Sequence, residues 1–239
     1  MKLTVLGKYG PYPAQNGGTT SYLMECGGKR VLIDAGSGCL ARVQNFCALD
    51  KIDMIVLTHL HSDHCCEMFI LRYALRDGCV VPVLLPRTPE KEFDILNGCA
   101  CFDCSVLGDK QSMVIPDTDV RLEFCRTVHT VECYALKIRE NKKTFVFSGD
   151  ACISDELTSF CAGADVLLCD SGFLSTQKRT SMLPHMYAAE AAELARTAKA
   201  EKLLLTHINP TYAERDILRE AEYVFARTEI VKEMRQYNI

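Results

Sequence analysis

The chain has 239 residues, of which 48% are hydrophobic and 24% charged, and its formal net charge is −4. This length suits one large domain spanning residues 1–239, and no apolar run approaches the roughly 20 residues of a membrane helix. The acidic balance gives no long-range attraction for nucleic acid or an anionic membrane, so RNA is disfavoured as a partner and no membrane association is expected.

The amino terminus and the cysteines favour a cytoplasmic protein. The segment MKLTVLG alternates like a strand and lacks the charged, apolar and small-residue order of a secretory signal. Fourteen cysteines would suggest a disulfide framework in a short secreted chain, but a larger cytosolic protein keeps its thiols reduced. Most are therefore expected to be buried as small hydrophobic side chains.

The first part of the chain predicts paired strands and then buried ones. Strands are expected over 2–6, 21–26 and 30–34, with a hairpin turn at Gly27-Gly28. A short helix over 40–47 precedes the apolar run MIVLTH at 54–59, which is typical of a strand covered on both faces. A helix over 67–78 and a strand over 80–86 follow. Residues 86–119 are rich in turn formers and permit no assignment.

The second part predicts a strand-rich region and then alternating helices and strands. Strands are expected over 120–129, 133–140, 144–150 and 164–170, with a hairpin turn at 141–143. An alanine-rich helix over 187–200, a strand at KLLLTHINP and a final helix over 213–227 complete the chain. No repeat or linker divides it. Two sheets with outer helices are the natural architecture.

Half of the six histidines lie in LTHLHSDHCC, residues 57–66. His59 and His61 have the spacing that lets alternate side chains at a strand end point toward one cavity. Asp63 and His64 follow where the chain turns into a helix, so they can approach from another side and serve a second ion. This stretch therefore predicts two adjacent metal ions.

The remaining histidines also occupy ends of predicted elements. His129 follows the strand FCRTV, His185 precedes the alanine-rich helix, and His207 follows LLLT. Asp150 ends FVFSGD and offers a carboxylate for bridging two ions about 3.5–4 Å apart. A single histidine is more often structural, but the joint pattern favours metal binding.

These residues resemble a known family. THLHSDH, with the later His129, Asp150 and His207, resembles the metallo-β-lactamase superfamily over nearly the whole chain. The opening LTVLGKYGPYP and the closing PHMYAAEAAELARTAKAEKLLLTHINP resemble its ribonuclease Z-like branch. The resemblance implies a four-layer αββα sandwich, with two mixed sheets flanked by helices.

The resemblance also implies two Zn²⁺ ions per subunit. Imidazole suits zinc, and Mn²⁺ or iron are alternatives because first-row metals overlap at nitrogen and oxygen sites. Flavodiiron relatives carry a glutamate in place of His61, which disfavours an iron redox centre. The implied ligands are His59, His61 and His129 for one ion, Asp63, His64 and His207 for the other, and Asp150 as the bridge.

Hydrolysis is the reaction that such a pair of ions predicts. Two ions polarise a phosphoryl oxygen and lower the pKa of a shared water toward ~7, which supplies hydroxide. Asp63 is expected to orient this water or accept its proton, and His185 to stabilise or protonate the departing oxygen. The alternative for His185 is a structural one, capping a helix or bonding a carbonyl.

Departures from the family pattern narrow the substrate. Metallo-β-lactamases generally use a cysteine ligand near the position of Asp150, which argues against antibiotic hydrolysis. Ribonuclease Z proteins carry a long transfer-RNA-gripping arm between their matches of His129 and Asp150, where this sequence predicts one tight hairpin. Small phosphodiesters, such as cyclic nucleotides or short nucleotides, are therefore favoured over transfer-RNA maturation. A relation to phage anti-Pycsar phosphodiesterases is one form of this hypothesis.

Two further hypotheses belong to other classes. A glyoxalase II-like thioester hydrolase would need a carboxyl-terminal helical region, and only about thirty residues follow His207. A catalytically silent metal or nucleotide sensor is disfavoured by the intact ligand set. Many compact relatives are dimers, so a homodimer is expected.

Some polar residues near these motifs have two interpretations. Asp34 in LIDAGSG is expected either to orient a ligand imidazole or to form a turn. Cys99, Cys101 and Cys104 in GCACFDC would need a fourth ligand to close a structural zinc site. Free thiols are favoured for these three cysteines.

Overall fold

The structure, a computed structural model, describes residues 1–75, 78–177 and 184–239. Two seven-stranded sheets pack face to face, and helices cover their outer faces. This arrangement confirms the predicted αββα sandwich.

The first sheet has the order β14-β1-β2-β3-β4-β5-β6. The strands pair antiparallel from β14 to β3 and parallel from β3 to β6. Its strands are β1 (Lys2–Gly7), β2 (Ser21–Cys26), β3 (Lys29–Ile33), β4 (Met54–Val56), β5 (Val81–Leu85), β6 (Phe102–Val106) and β14 (Gln236–Asn238).

The second sheet has the order β13-β12-β11-β10-β9-β8-β7. Strands β7 to β10 pair antiparallel, and β10 to β13 pair parallel. Its strands are β7 (Ser112–Val114), β8 (Arg121–Arg126), β9 (Tyr134–Glu140), β10 (Lys143–Phe147), β11 (Val166–Asp170), β12 (Lys202–Thr206) and β13 (Thr228–Ile230).

The helices lie between the strands along the chain. A single 3₁₀ turn covers Leu49–Lys51. The α-helices are α1 (Cys39–Val43), α2 (Ser62–Cys65), α3 (Met68–Ala74), α4 (Glu90–Asn97), α5 (Asp155–Phe160), α6 (Ala188–Thr197) and α7 (Glu214–Val224).

Three apolar layers hold the sandwich together. The central layer lies between the sheets, where the rings of Tyr22 and Phe147 meet edge to face with centroids 5.2 Å apart. The hydroxyl of Tyr22 also lies 2.6 Å from Thr206 Oγ1, which joins β2 to β12. One outer layer packs α1, α3 and α4 on the first sheet, and the other packs α5, α6 and α7 on the second. Successive side chains of a strand point to opposite faces of its sheet, so each strand contributes to the central layer and to one outer layer.

Three segments differ from the sequence prediction. Helix α3 ends at Ala74 because Leu75 takes an extended conformation with ψ 134°, whereas the helix was predicted to continue to Gly78; Arg76 and Asp77 lie outside the described residues. Residues 86–119, left unassigned, contain α4, β6 and β7. The edge strands β13 and β14 were not predicted, because three-residue strands are too short to show a period.

No helix among residues 1–75, 78–177 and 184–239 is long and apolar enough to cross a membrane.

Candidate metal centre

The candidate site is built where parallel strands end. Asp34 follows β3, Asp150 follows β10 by three residues, and His207 comes directly after β12, while Asp170 is the last residue of β11. The strand β4 leads into the stretch that carries His59. Because parallel strands present their carboxyl ends at the same edge of a sheet, these side chains meet although they are distant in sequence.

The first group of metal-ligating side chains is formed by His59, His61, His129 and Asp150, whose ligand atoms lie within 4.8 Å of one another. His61 Nδ1 is 3.0 Å from His59 Nε2 and 3.1 Å from His129 Nε2. Asp150 Oδ2 lies 3.5 Å from His59 Nε2. At these spacings one cation can contact all four side chains.

The second group is formed by Asp63, His64 and His207. Asp63 Oδ2 lies 3.2 Å from His207 Nε2 and 3.6 Å from His64 Nε2. Asp63 and His64 both belong to the short helix α2, so a helix and not a strand end positions them. Asp150 lies between the groups, with Oδ1 3.3 Å from His64 Nε2 and Oδ2 3.4 Å from His207 Nε2.

The protonation of the imidazoles differs between the groups. Burial lowers the pKa of His59 well below its usual value and lowers the pKa values of His61 and His129, so these rings are neutral, as metal binding requires. Burial opposes protonation of His64 too, but the carboxylates of Asp150, Asp63 and Asp34 raise its pKa to about 10. The second group therefore holds protons that a bound cation would displace.

Two buried polar atoms indicate whether the residues of the site suit a metal ion. His64 Nε2 and Asp150 Oδ1 are buried and face each other at 3.3 Å, but neither makes a well-formed hydrogen bond within the described part of the chain. A buried polar atom without a partner costs about 1–3 kcal/mol. A divalent cation between the carboxylate and the imidazole would satisfy both atoms, so the donor set fits a divalent metal.

Asp34 positions His64, a member of the second group, through a hydrogen bond to Nδ1 of its ring. His64 Nδ1 donates to Asp34 Oδ2 at 2.8 Å, and the Thr58 amide donates to Asp34 Oδ1 at 2.7 Å. The fully buried Asp34 also has a positive φ of 55°. The interpretation in which Asp34 orients an imidazole therefore matches the structure, because Asp34 fixes the ring of His64, whereas the first turn after β3 begins only at Ser37.

His185 forms a dyad with Asp170, a residue that the sequence analysis did not include in the site. His185 Nδ1 donates to Asp170 Oδ2 at 2.8 Å, and Asp170 Oδ1 lies 3.6 Å from His207 Nδ1. Burial opposes protonation of His185, but the carboxylates of Asp170 and Asp150 together raise its pKa. The missed signal was the strand ADVLLCD, which ends in a carboxylate as FVFSGD does.

A cavity of about 430 Å³ opens over the two groups. His61, Asp63, His129, His185 and His207 line it. Other lining residues, which the sequence analysis missed, are Gly10, Pro11, Phe173, Pro184 and Asn209. Gly10, Pro11, Pro184 and Asn209 belong to the motifs LTVLGKYGPYP and PHMYAAEAAELARTAKAEKLLLTHINP, but their approach to the site depends on packing, which neither motif shows.

The cysteines of GCACFDC lie away from this centre. Cys99, Cys101 and Cys104 pack partly buried against the outer core of the first sheet. Within the described residues they belong to none of the groups that could hold a metal. Free thiols remain the prediction for these three cysteines.

Comparison with known proteins agrees with this geometry. Residues 29–208 match the model of the β-lactamase superfamily domain. The probable metallo-hydrolase YhfI of Bacillus subtilis (strain 168) is 32% identical over 235 residues, 94% of each chain. The crystal structure of the metallo-β-lactamase fold protein YhfI from Bacillus subtilis superposes with a TM-score of 0.92 and 29% identity, covering 99% of this chain and 98% of that one.

Ribonuclease Z proteins are also similar. Ribonuclease Z of Bradyrhizobium sp. (strain ORS 278) is 25% identical over an alignment of 297 positions, which covers 97% of each chain. Together with the histidine and aspartate groups, these relatives support a metal-dependent hydrolase. The chain therefore belongs to the metallo-β-lactamase superfamily, in its ribonuclease Z-like branch.

Proposed function

We propose that the protein is a phosphodiesterase acting on small phosphodiesters such as cyclic nucleotides or short nucleotides. The observation that carries this proposal is the convergence of the two metal-ligating groups on one cavity of about 430 Å³. A cavity of this size accommodates a small ligand. The apolar Phe173 and Pro11 and the amide of Asn209 lie in its wall, so it offers contacts for both a base and a sugar.

In this proposal the site holds two zinc ions, with manganese or iron as alternatives. His59, His61 and His129 hold one ion. Asp63, His64 and His207 hold the other. Asp150 supports the assignment as bridge, because its two oxygens lie 3.3–3.7 Å from imidazole nitrogens of both groups.

The chain's own groups would supply positioning and proton transfer. When bound, the ions would polarise a phosphoryl oxygen and lower the pKa of water. Asp63 lines the cavity, and in this proposal its carboxylate would orient the attacking water and accept its proton. Because Asp170 engages Nδ1 of His185, the proton for the departing oxygen would leave from Nε2.

The size of the substrate is inferred from the segment between His129 and Asp150. This segment is the β9–β10 hairpin, whose strands are joined by Asn141 and Lys142. This hairpin turns over two residues and has no long arm that could bind a polynucleotide. A short phosphodiester that fits within the cavity is therefore the preferred substrate.

A second candidate function is RNA processing. It is favoured by the relatives named ribonuclease Z, one of which aligns over 97% of this chain. RNA would have to be gripped outside the cavity, which the acidic net charge of −4 does not favour.

A substrate screen with zinc- and manganese-loaded protein tests the proposal. We expect hydrolysis of bis(p-nitrophenyl) phosphate and of at least one cyclic nucleotide, with slower cleavage of a transfer-RNA precursor. Faster cleavage of the precursor would favour the ribonuclease, and turnover of S-lactoylglutathione alone would favour a thioesterase. Tight nucleotide binding without turnover under either metal would replace the proposal with a sensor.

The homodimer remains a prediction. Sedimentation equilibrium of the metal-loaded protein would measure its mass, and a monomer across the micromolar range would contradict the expectation.

A further inference from the structure

A second cavity lies on the outer face of the second sheet, beside α5. It has a volume of about 650 Å³ and shares no lining residue with the cavity over the metal-ligating groups. Phe124 and Cys125 of β8 and Lys137 of β9 are the buried part of its lining, and the ring of Phe160 at the end of α5 forms a wall. We call this cavity the α5 groove.

Lys137 is unusual for a lysine because it is almost entirely buried, with 6% of its side chain exposed. Its ammonium makes no hydrogen bond within the described part of the chain. The nearest carboxylate oxygen, Glu123 Oε2, is 3.8 Å away, and Glu123 Oε1 also faces Arg139 Nε at 3.3 Å. The ammonium instead lies 4.4 Å from the centroid of the Phe160 ring.

Such an ammonium is only loosely compensated by the protein itself, because its ion-pair partner Glu123 lies 3.8 Å away and its other contact is the face of the Phe160 ring. A buried charge is costly unless it is paired and hydrogen-bonded. Burial lowers the pKa of Lys137, and Arg139 lowers it further, while Glu123 acts in the opposite direction. An anion entering the α5 groove would provide hydrogen-bond acceptors for the Lys137 ammonium at a closer distance than Glu123 does.

The surroundings of Lys137 select the kind of anion. Glu123, Asp155 and Glu156 also line the groove, the last two at its exposed mouth beside Lys110. These three carboxylates would repel a dianion such as a phosphate monoester more strongly than a monoanion. The wall formed by Phe160 suits an apolar body attached to the charged group.

We propose that the α5 groove binds an organic monocarboxylate, whose carboxylate pairs with Lys137 and whose apolar body lies against Phe160. This site is separate from the candidate metal centre and does not depend on the proposed phosphodiesterase activity.

Calorimetric titration of the metal-loaded protein with three related probes tests the proposal. The probes are 2-naphthoate, the neutral 2-naphthamide and the dianionic 2-naphthyl phosphate. We expect 2-naphthoate to bind the wild-type protein most tightly. Lys137→Met should weaken naphthoate binding by about tenfold or more, because it removes a buried charged hydrogen bond, and should leave naphthamide binding unchanged.

Two further variants make the result specific. Lys110→Met removes an exposed lysine from the mouth of the same groove and should change naphthoate affinity by less than about threefold. Ser159→Trp narrows the groove from α5, leaves Lys137 unchanged and should abolish binding. This variant keeps the proposal testable if Lys137→Met does not fold.

Two results would overturn the proposal. Equal affinities for naphthoate and naphthamide would show that charge plays no role in binding. Naphthoate binding that survives both Lys137→Met and Ser159→Trp would place the carboxylate elsewhere, for example on the metal ions. Hydrolysis of bis(p-nitrophenyl) phosphate should be unchanged in these variants, so that a failure here is distinguishable from a failure of the proposed function.

Discussion

At the scale of single residues, carboxylates that bind Nδ1 of the imidazoles organise the candidate metal centre. Asp34 holds His64, and Asp170 holds His185, each at 2.8 Å through Nδ1. Such contacts fix the tautomer, so that Nε2 is the nitrogen presented to a metal or substrate. Two predictions concern these carboxylates.

Asp34→Asn should lower metal affinity about 10- to 100-fold, because the amide holds the ring of His64 less firmly. Competition with a chromogenic chelator measures the affinity. Asp53→Asn is the matched control, since Asp53 also accepts a backbone N–H, from Arg30 at 2.9 Å, but lies outside the site. Equal affinities in the two variants would contradict a supporting role for Asp34.

His185→Ala should reduce turnover by roughly 100- to 10,000-fold on a phosphodiester with an alkoxide leaving group, because the departing oxygen then lacks a proton donor. The loss should be small with a p-nitrophenolate leaving group, which needs no proton. Asp170→Asn should show the same dependence more weakly, as expected of a positioning residue. Equal losses on both substrates, with metal content unchanged, would exclude the proton-donor role.

The thiols should differ in reactivity according to their burial. Burial raises the pKa values of Cys26 and Cys161 to about 12, so their thiolate fraction at pH 8 is small. Iodoacetamide should therefore modify half-buried thiols such as Cys99 before Cys26 and Cys161 in the native protein. Peptide mass spectrometry measures the order, and early labelling of Cys26 would contradict it.

At the scale of elements, the loop after β1 depends on a glycine. A β-carbon at Gly10 would lie 2.0 Å from His207 Nε2, so no side chain fits unless the loop or the ring moves. Gly10→Ala should therefore lower the metal content of the purified protein. In the control Gly108→Ala, the nearest atom is Gln111 Oε1 at 3.8 Å, an ordinary contact. Elemental analysis measures the metal content. Full metal content in Gly10→Ala would contradict the prediction, because it would show that the loop or the ring moves to make room for the β-carbon.

The same scale shows the limits of local sequence patterns. The long predicted helices α6 and α7 and most central strands correspond closely to the structure, because their periods are repeated several times. The strands β13 and β14 do not form from their own pattern. They add to exposed edges that β12 and β1 already present, so neighbouring strands determine them.

At the scale of the whole molecule, the carboxyl-terminal segment ties the two sheets together. It adds β13 to the second sheet and then β14 to the first, and Val231 and Tyr237 join the core between them. Arg42 of α1 anchors the segment through Glu233, whose carboxylate also accepts the Gly18 amide at 2.7 Å. The segment should therefore contribute to global stability.

Tyr237→Ala tests this contribution. It removes a ring that is 6% exposed and should lower the free energy of unfolding by about 3–5 kcal/mol. Tyr223→Ala removes the same side chain from a position that is 93% exposed, and should change it by no more than about 0.5 kcal/mol. Urea unfolding of the metal-loaded proteins provides both values, and similar values would mean that the segment is dispensable.

From the amino-acid sequence by itself, most central strands and the helices α6 and α7 were predictable, because their periods repeat, and the resemblance to the metallo-β-lactamase superfamily implied the fold class and the seven candidate ligands. Only the tertiary structure decided that Asp170 holds His185, that Gly10 lies against His207, and that Lys137 is buried beside a groove. Periodicity encodes which face of an element is buried, but not which elements meet. The contact between Asp63 and His207 joins residues 144 positions apart, and such contacts arise only when the sheets pack.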